Sequence, residues 1–283
     1  MNYQHQYHAG NFADVCKHLV LAELMQKLTQ KETAFGYLDT HAGAGLYDLT
    51  DVPARKTQEY VFGIETLMQS EQSLAHLPTV AKYMAAVKKV GYPTHYPGSP
   101  WLAKAWGRAV DQLIFIEKHP ETANTLKQNF KQDKQTVVHL RDAYEGLLAL
   151  LPLKQGRGLI LIDPAYEVSD EWSRMLQALE KAVHRYRQGI FVIWYPIKAD
   201  NTWEKETALL RKCMPDSIDI LQIELSIFNT DVRQGLIGSG MMVLNPPWQL
   251  QEQIGTWLPS VWQVLSQTGQ GSFSLKKVSV SRG

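Results

Sequence analysis

A chain of 283 residues can bury a substantial core, as one domain with an insertion or as two domains. Its 45% hydrophobic and 20% charged residues are ordinary for a soluble globular protein, and a net charge of +1 neither demands nor excludes nucleic acid. With only Cys16 and Cys213 there is no disulfide framework or zinc site to expect, no apolar run is long enough to span a bilayer, and the N-terminus lacks the apolar core of a signal peptide, so a cytoplasmic protein without metal is expected.

The first eighteen positions are dense in polar and aromatic groups: Tyr3, His5, Tyr7, His8, Lys17 and His18. No carboxylate or cysteine accompanies these histidines at a spacing useful for a metal, so they are read as contacts to substrate and cofactor rather than as a solvated arm. From Phe12 to Leu28 apolar residues recur on one helical face, with Asn11 as N-cap. "FGYLDTHAGAG" is then a short buried strand with Gly43 and Gly45 at its exit, where a bare backbone lets a cofactor approach closely. The dinucleotide fingerprint fails, because Asp48 stands where its third glycine would be.

A polar stretch and helical periodicity follow instead of an immediate helix, so a helical subdomain is expected as an insertion over residues 48–96 of a single domain. "GSP" predicts a helix start with Ser99 as N-cap and Pro100 at the first helical position. Short apolar runs then alternate with helical segments, which predicts an α/β fold with a mostly parallel, doubly wound sheet. Two further strands joined by a glycine-rich loop predict an antiparallel hairpin at its C-terminal end.

Three acidic residues stand at strand ends. Glu117 fits an acceptor for both ribose hydroxyls of a nucleoside cofactor, and equally a solvated strand-end carboxylate. Asp142 fits an acceptor for an adenine amino group, and equally a helix N-cap. Asp163 closes "GLILIDPAY". A nucleobase amino group is a poor nucleophile because its lone pair is delocalised. Asp163 and the Pro164 carbonyl can accept its two hydrogens, pyramidalise the nitrogen and aim it at a methyl donor, while Tyr166 stacks on the extruded base. "MMVLNPPW" carries a fuller version of the motif, but on a strand expected to run antiparallel. Its end then lies at the opposite sheet edge, and it is read as structural, with Trp248 packed on the core.

The segments "YHAGNFADVCKH", "YLDTHAGAG", "YPGSP", "LILIDPAYE" and "GSGMMVLNPPW" together resemble the 23S ribosomal RNA adenine-N6 methyltransferase J family, over nearly the whole chain. The resemblance implies a Rossmann-like class I methyltransferase domain with a small helical insertion. It implies S-adenosyl-L-methionine as cofactor and one adenine of 23S rRNA as acceptor. A monomer with no membrane or metal partner is expected. By position it implies cofactor contacts at His18, His41, Ser99, Glu117, Asp142 and Asp163, alongside the Gly43 loop. Asp163 would be catalytic, and Tyr3, His5 and Lys17 would serve the substrate or catalysis. The family pattern has a second proline where this chain carries Ala165, and activity is expected to survive that change. Alternative readings are adenine methylation of DNA, methylation of a protein glutamine, or a non-catalytic DNA-binding role in DNA uptake.

Overall fold

The computed structural model describes residues 4–200, 202–229, 235–266 and 269–278. In chain order these form α1 (Phe12–Thr29), β1 (Gly36–Asp39), β2 (Leu46–Asp48), α2 (Val52–Thr57), α3 (Ile64–Gln69), α4 (Glu71–Leu74), α5 (Pro78–Lys89), β3 (His95–Pro97) and α6 (Ser99–Trp106). The second part contributes β4 (Gln112–Glu117), α7 (Pro120–Asn129), β5 (Thr136–Leu140), α8 (Ala143–Leu150), β6 (Gly158–Ile162), α9 (Glu171–Arg185) and β7 (Ile190–Lys198). The third contributes α10 (Thr202–Cys213), β8 (Ile220–Ser226), β9 (Leu236–Leu244), α11 (Leu250–Leu265) and β10 (Ser272–Val278).

The main sheet has eight strands in the order β10-β8-β9-β7-β6-β1-β4-β5. From β5 to β7 all pairings are parallel. β6, "GLILI", is buried at every position, as a central parallel strand covered on both faces must be. The chain leaves β1 outward to β4 and β5, then returns to β6 on the other side of β1. That reversal opens a crevice beyond the carboxyl ends of β1 and β6.

The expected hairpin is present: β8 and β9 pair antiparallel, and β9 pairs antiparallel with β7. The edge strand β10, "SFSLKKV", was not foreseen from the sequence. It is polar and largely exposed, as suits an edge that must resist further pairing, and such a strand carries little apolar signal.

Two buried clusters fill the faces of the sheet, one under α1, α6 and α11 and the other under α8, α9 and α10. Asn11 caps α1 as expected, its side-chain oxygen accepting from the Asp14 N–H at 2.9 Å. The single apolar face read for this helix is too narrow. Every residue from Phe12 to Met25 is buried, Asp14, Lys17, His18 and Glu23 included, because α1 touches α5, α6, α11 and β9.

Residues 49–94 leave and rejoin the domain through β2 and β3, which pair antiparallel from Leu46↔Pro97 to Asp48↔His95. The intervening helices lie close against the N-terminal segment. The Ile64 N–H donates to the Gly10 carbonyl at 2.8 Å, and a Cβ on Gly63 would sit 2.1 Å from that oxygen. The start of α6 differs from expectation by one residue: Gly98 is the N-cap and Ser99 the first helical residue. The Ser99 hydroxyl donates to the buried Asp39 carboxylate at 2.6 Å, a stronger claim on it than an exposed helix end. Among the described residues no helix is long and apolar enough to cross a membrane.

Candidate active site

Beyond the carboxyl ends of the parallel strands lies a cavity of about 1280 Å³. Glu117, Asp142 and Asp163 all line it, one from each of three strand ends, together with Gly43 from the loop after β1. His18, His41 and Ser99 are on its wall as well, as are His5 and Lys17. Tyr3 lies outside the described residues.

Glu117 is buried and accepts two backbone N–H groups, from Gly43 at 3.0 Å and from His119 at 2.8 Å, one on each oxygen. A carboxylate has about four acceptor sites, so further lone pairs remain for a ligand. Gly43 has φ +62°, and a Cβ there would fall 2.2 Å from the Tyr47 hydroxyl. A side chain there would be strained and would crowd the Tyr47 hydroxyl. Asp142 caps α8 through the Tyr144 and Glu145 N–H groups and pairs with Lys118 at 3.1 Å and Arg174 at 3.2 Å. Burial works against its charge, but these donors hold its carboxyl below the ordinary range. Both readings of Asp142 are thus compatible: it is an N-cap, and it lines the cavity.

His41 stands edge-on to the Tyr144 ring, and burial pushes its pKa down to about 4, so the ring is neutral. Asp39, at the end of β1, is wholly buried and accepts from the Ser99 and Tyr37 hydroxyls and the His41 N–H. Burial, with the Asp163 charge adding to it, raises Asp39 to about 6 despite the Ser99 bond.

The first two turns of α1 form another part of the wall. Lys17 is buried, its ammonium 2.7 Å from Asp14 Oδ1 and 2.6 Å from Asp163 Oδ2. Burial alone would lower its pKa, but the two carboxylates outweigh that and hold it well above the ordinary value. Burial likewise opposes the Asp14 charge, and His5 and Lys17 reverse the effect, holding that carboxyl well below its ordinary range. The second Asp14 oxygen accepts from the Gly10 N–H and lies 3.0 Å from His5 Nε2. Lys17 is thus compensated inside the protein by two carboxylates. This geometry corrects one reading of the N-terminus. A carboxylate does stand beside the histidines, since Asp14 reaches His5. Among the described residues, however, no group of three metal-ligating side chains forms.

The loop after β6 places Pro164 and Ala165 on the cavity wall but turns Tyr166 away. Tyr166 has φ 52°, and its hydroxyl donates to the Trp194 carbonyl at 2.8 Å, between the rings of Trp172 and Trp194. It lines a separate small cleft, so this conformation offers no Tyr166 face to an extruded base. The second motif behaves as its strand direction requires. β9 runs antiparallel to β7, with Leu244 opposite Phe191, so Asn245 is at the far edge of the sheet. Its side-chain amide donates to the carbonyls of Arg187 and Gly189. Trp248 does not pack on the core; it is 81% exposed. The two prolines and the left-handed Gln249 end the strand and turn the chain into α11, which leaves the indole outside.

The family model described as ribosomal RNA large subunit methyltransferase D, RlmJ, matches residues 32–279. The chain belongs to this methyltransferase family. It is 36% identical to ribosomal RNA large subunit methyltransferase J of Haemophilus influenzae, with 98% of each chain covered. It is also 36% identical to the Escherichia coli protein of the same name, with 96% of each covered. A crystal structure of a Legionella pneumophila protein, 33% identical, covers 96% of this chain and 98% of its own with a TM-score of 0.85. The Rossmann-like class I methyltransferase fold implied by the sequence resemblance is therefore the fold of this family member.

Asp14, on the cavity wall, and Asp39, buried behind it, were given no role from the sequence. Asp14 had a signal, a carboxylate three positions before a lysine on one helix. Asp39, at the end of a buried strand directly before the glycine loop, had one as good as that of Glu117.

Proposed function

We propose that the protein methylates N6 of one adenine in 23S rRNA, with S-adenosyl-L-methionine as donor and Asp163 and the Pro164 carbonyl orienting the target amino group. The observation that carries this reading is the meeting of Asp163, Pro164, Glu117 and Gly43 on one cavity at one sheet edge. The fuller motif at Asn245 points to the other edge. The cavity also exceeds the roughly 300–1,000 Å³ of a typical small-molecule site, which leaves room for a cofactor and a flipped base together.

The residues present suit the cofactor. The bare Gly43 backbone admits close approach, Glu117 has acceptor capacity for a ribose diol, and Asp142 for an adenine amino group. When bound, the cofactor supplies an electrophilic methyl group on a sulfonium. The chain's own part is positioning. Lys17 takes Asp163 Oδ2, which fixes the carboxylate and leaves Oδ1 to accept an amino hydrogen. The Pro164 carbonyl accepts the other, so the nitrogen lone pair leaves the plane of the base. Once methylated the amino group must lose a proton, and Asp163 is placed to take it. A ribosomal substrate implies a cytoplasmic protein. The direct test is to map N6-methyladenine in 23S rRNA from cells with and without the gene. One adenine that loses its methyl group on deletion and regains it on complementation is expected; an unchanged map contradicts the proposal.

A further inference from the structure

The reaction makes no direct use of the helical segment between β2 and β3, yet a tyrosine of this segment and one of β3 form a buried chain that ends on the cavity wall. Tyr83 of α5 and Tyr96 of β3 are fully buried with their hydroxyls 2.8 Å apart, and the Tyr96 hydroxyl lies 2.8 Å from His18 Nδ1. His18 is 1% exposed and lines the cavity, and its Nε2 has no partner.

Each of these groups carries one proton. Burial pushes both phenols up, so they keep theirs. Burial also pushes His18 down to about 3, against the pull of Asp14, so the imidazole is neutral. Two proton orders satisfy the short contacts. In one, Tyr83 donates to Tyr96, Tyr96 donates to Nδ1, and Nε2–H is the donor left over at the cavity. In the other, Nδ1–H donates to Tyr96 and Tyr96 to Tyr83, and the Tyr83 O–H is stranded inside the apolar core. Each order leaves one buried donor without a partner in the protein alone, Nε2–H or Tyr83 O–H. His18 lines the cavity and Tyr83 does not, so only in the first order can a bound ligand accept from that donor, and an orphaned buried donor is costly.

We propose that Tyr83 and Tyr96 are positioning residues that hold His18 in its Nε2–H tautomer, so that the helical segment presents a neutral donor to a carboxylate at the polar end of the bound methyl donor. The reversed order would present a lone pair and would select an ammonium group instead. The inference rests on the cofactor reading above, and its test separates the two. Long-range proton–nitrogen NMR of the ligand-free protein reads the His18 tautomer directly. The expected spectrum has Nε2 protonated and Nδ1 shifted by an accepted hydrogen bond. That Nδ1 shift is lost in Tyr96→Phe and weakened in Tyr83→Phe.

Calorimetry with S-adenosylhomocysteine, and with 5′-methylthioadenosine, which lacks the amino-acid end, gives the second readout. Tyr96→Phe should weaken the former about tenfold, as for one hydrogen bond to a charged group, and leave the latter unchanged. A general packing defect would weaken both. Should Tyr96→Phe fail to fold, the Tyr83→Phe spectrum and affinities decide. Protonated Nδ1 in the native protein, or equal losses for both compounds, overturns the proposal. If the native protein binds neither compound, the cofactor reading fails while the tautomer remains measured.

Discussion

Glu117 is a single residue in which the structure and the proposed cofactor binding meet. Its carboxylate ties the Gly43 loop to the start of the next loop while keeping lone pairs for a ligand. Glu117→Ala is expected to weaken S-adenosylmethionine by roughly ten- to a hundredfold, about 1.5–3 kcal/mol, measured by calorimetry. Unchanged affinity would remove Glu117 from the site. Asp39 offers a pH test. Its pKa rises from 3.8 unfolded to about 6 folded, so between those values the folded state binds the extra proton. Stability from this group is present below about pH 4 and is lost as pH rises through 6, on the order of 2–3 kcal/mol. Denaturant titrations of the native protein and Asp39→Asn should differ in slope across that window, the variant being flatter. Strand-end carboxylates such as Glu117, Asp142 and Asp163 could be picked out in the sequence because a buried strand announces its own end. The Lys17–Asp163 pair could not, because it joins residues 146 positions apart and depends on how α1 docks over the sheet.

At the scale of elements, α1 carries more of the site than its sequence suggested. Lys17→Ala would leave Asp14 buried without its closest cation, and breaking such a pair costs about 3–5 kcal/mol. A large drop in melting temperature is therefore expected beside any loss of transfer, and a fully stable variant would show that water replaces the ammonium. The C-terminal hairpin makes the opposite prediction for its own motif. Asn245→Ala removes two hydrogen bonds to the carbonyls of Arg187 and Gly189, worth about 0.5–1.5 kcal/mol each, and should leave methyl transfer intact. Loss of transfer in a folded Asn245→Ala protein would contradict the strand directions. Those directions were legible in the sequence from the glycine-rich connection between two apolar runs. The fate of Trp248 and Tyr166 was not, since a motif read in one dimension does not say which way an aromatic turns once its loop enters left-handed backbone.

For the whole molecule, the alternation of apolar runs and helices disclosed the parallel sheet, and the interruption after Gly45 marked where the chain leaves it. What the helical segment contributes emerged only in three dimensions, through Tyr83, Tyr96 and the contacts of Gly63 with the N-terminal turn. Long-range packing of this kind has no periodicity to read. The central claim is that methyl transfer occurs at the carboxyl edge, through Asp163. It is tested most directly by transfer of labelled methyl groups from S-adenosylmethionine to undermethylated 23S rRNA, with the product nucleoside identified by mass spectrometry for the native protein and a folded Asp163→Ala variant. The account requires N6-methyladenosine from the native protein and none above background from the variant; undiminished transfer by Asp163→Ala, or a different methylated nucleoside, would contradict it.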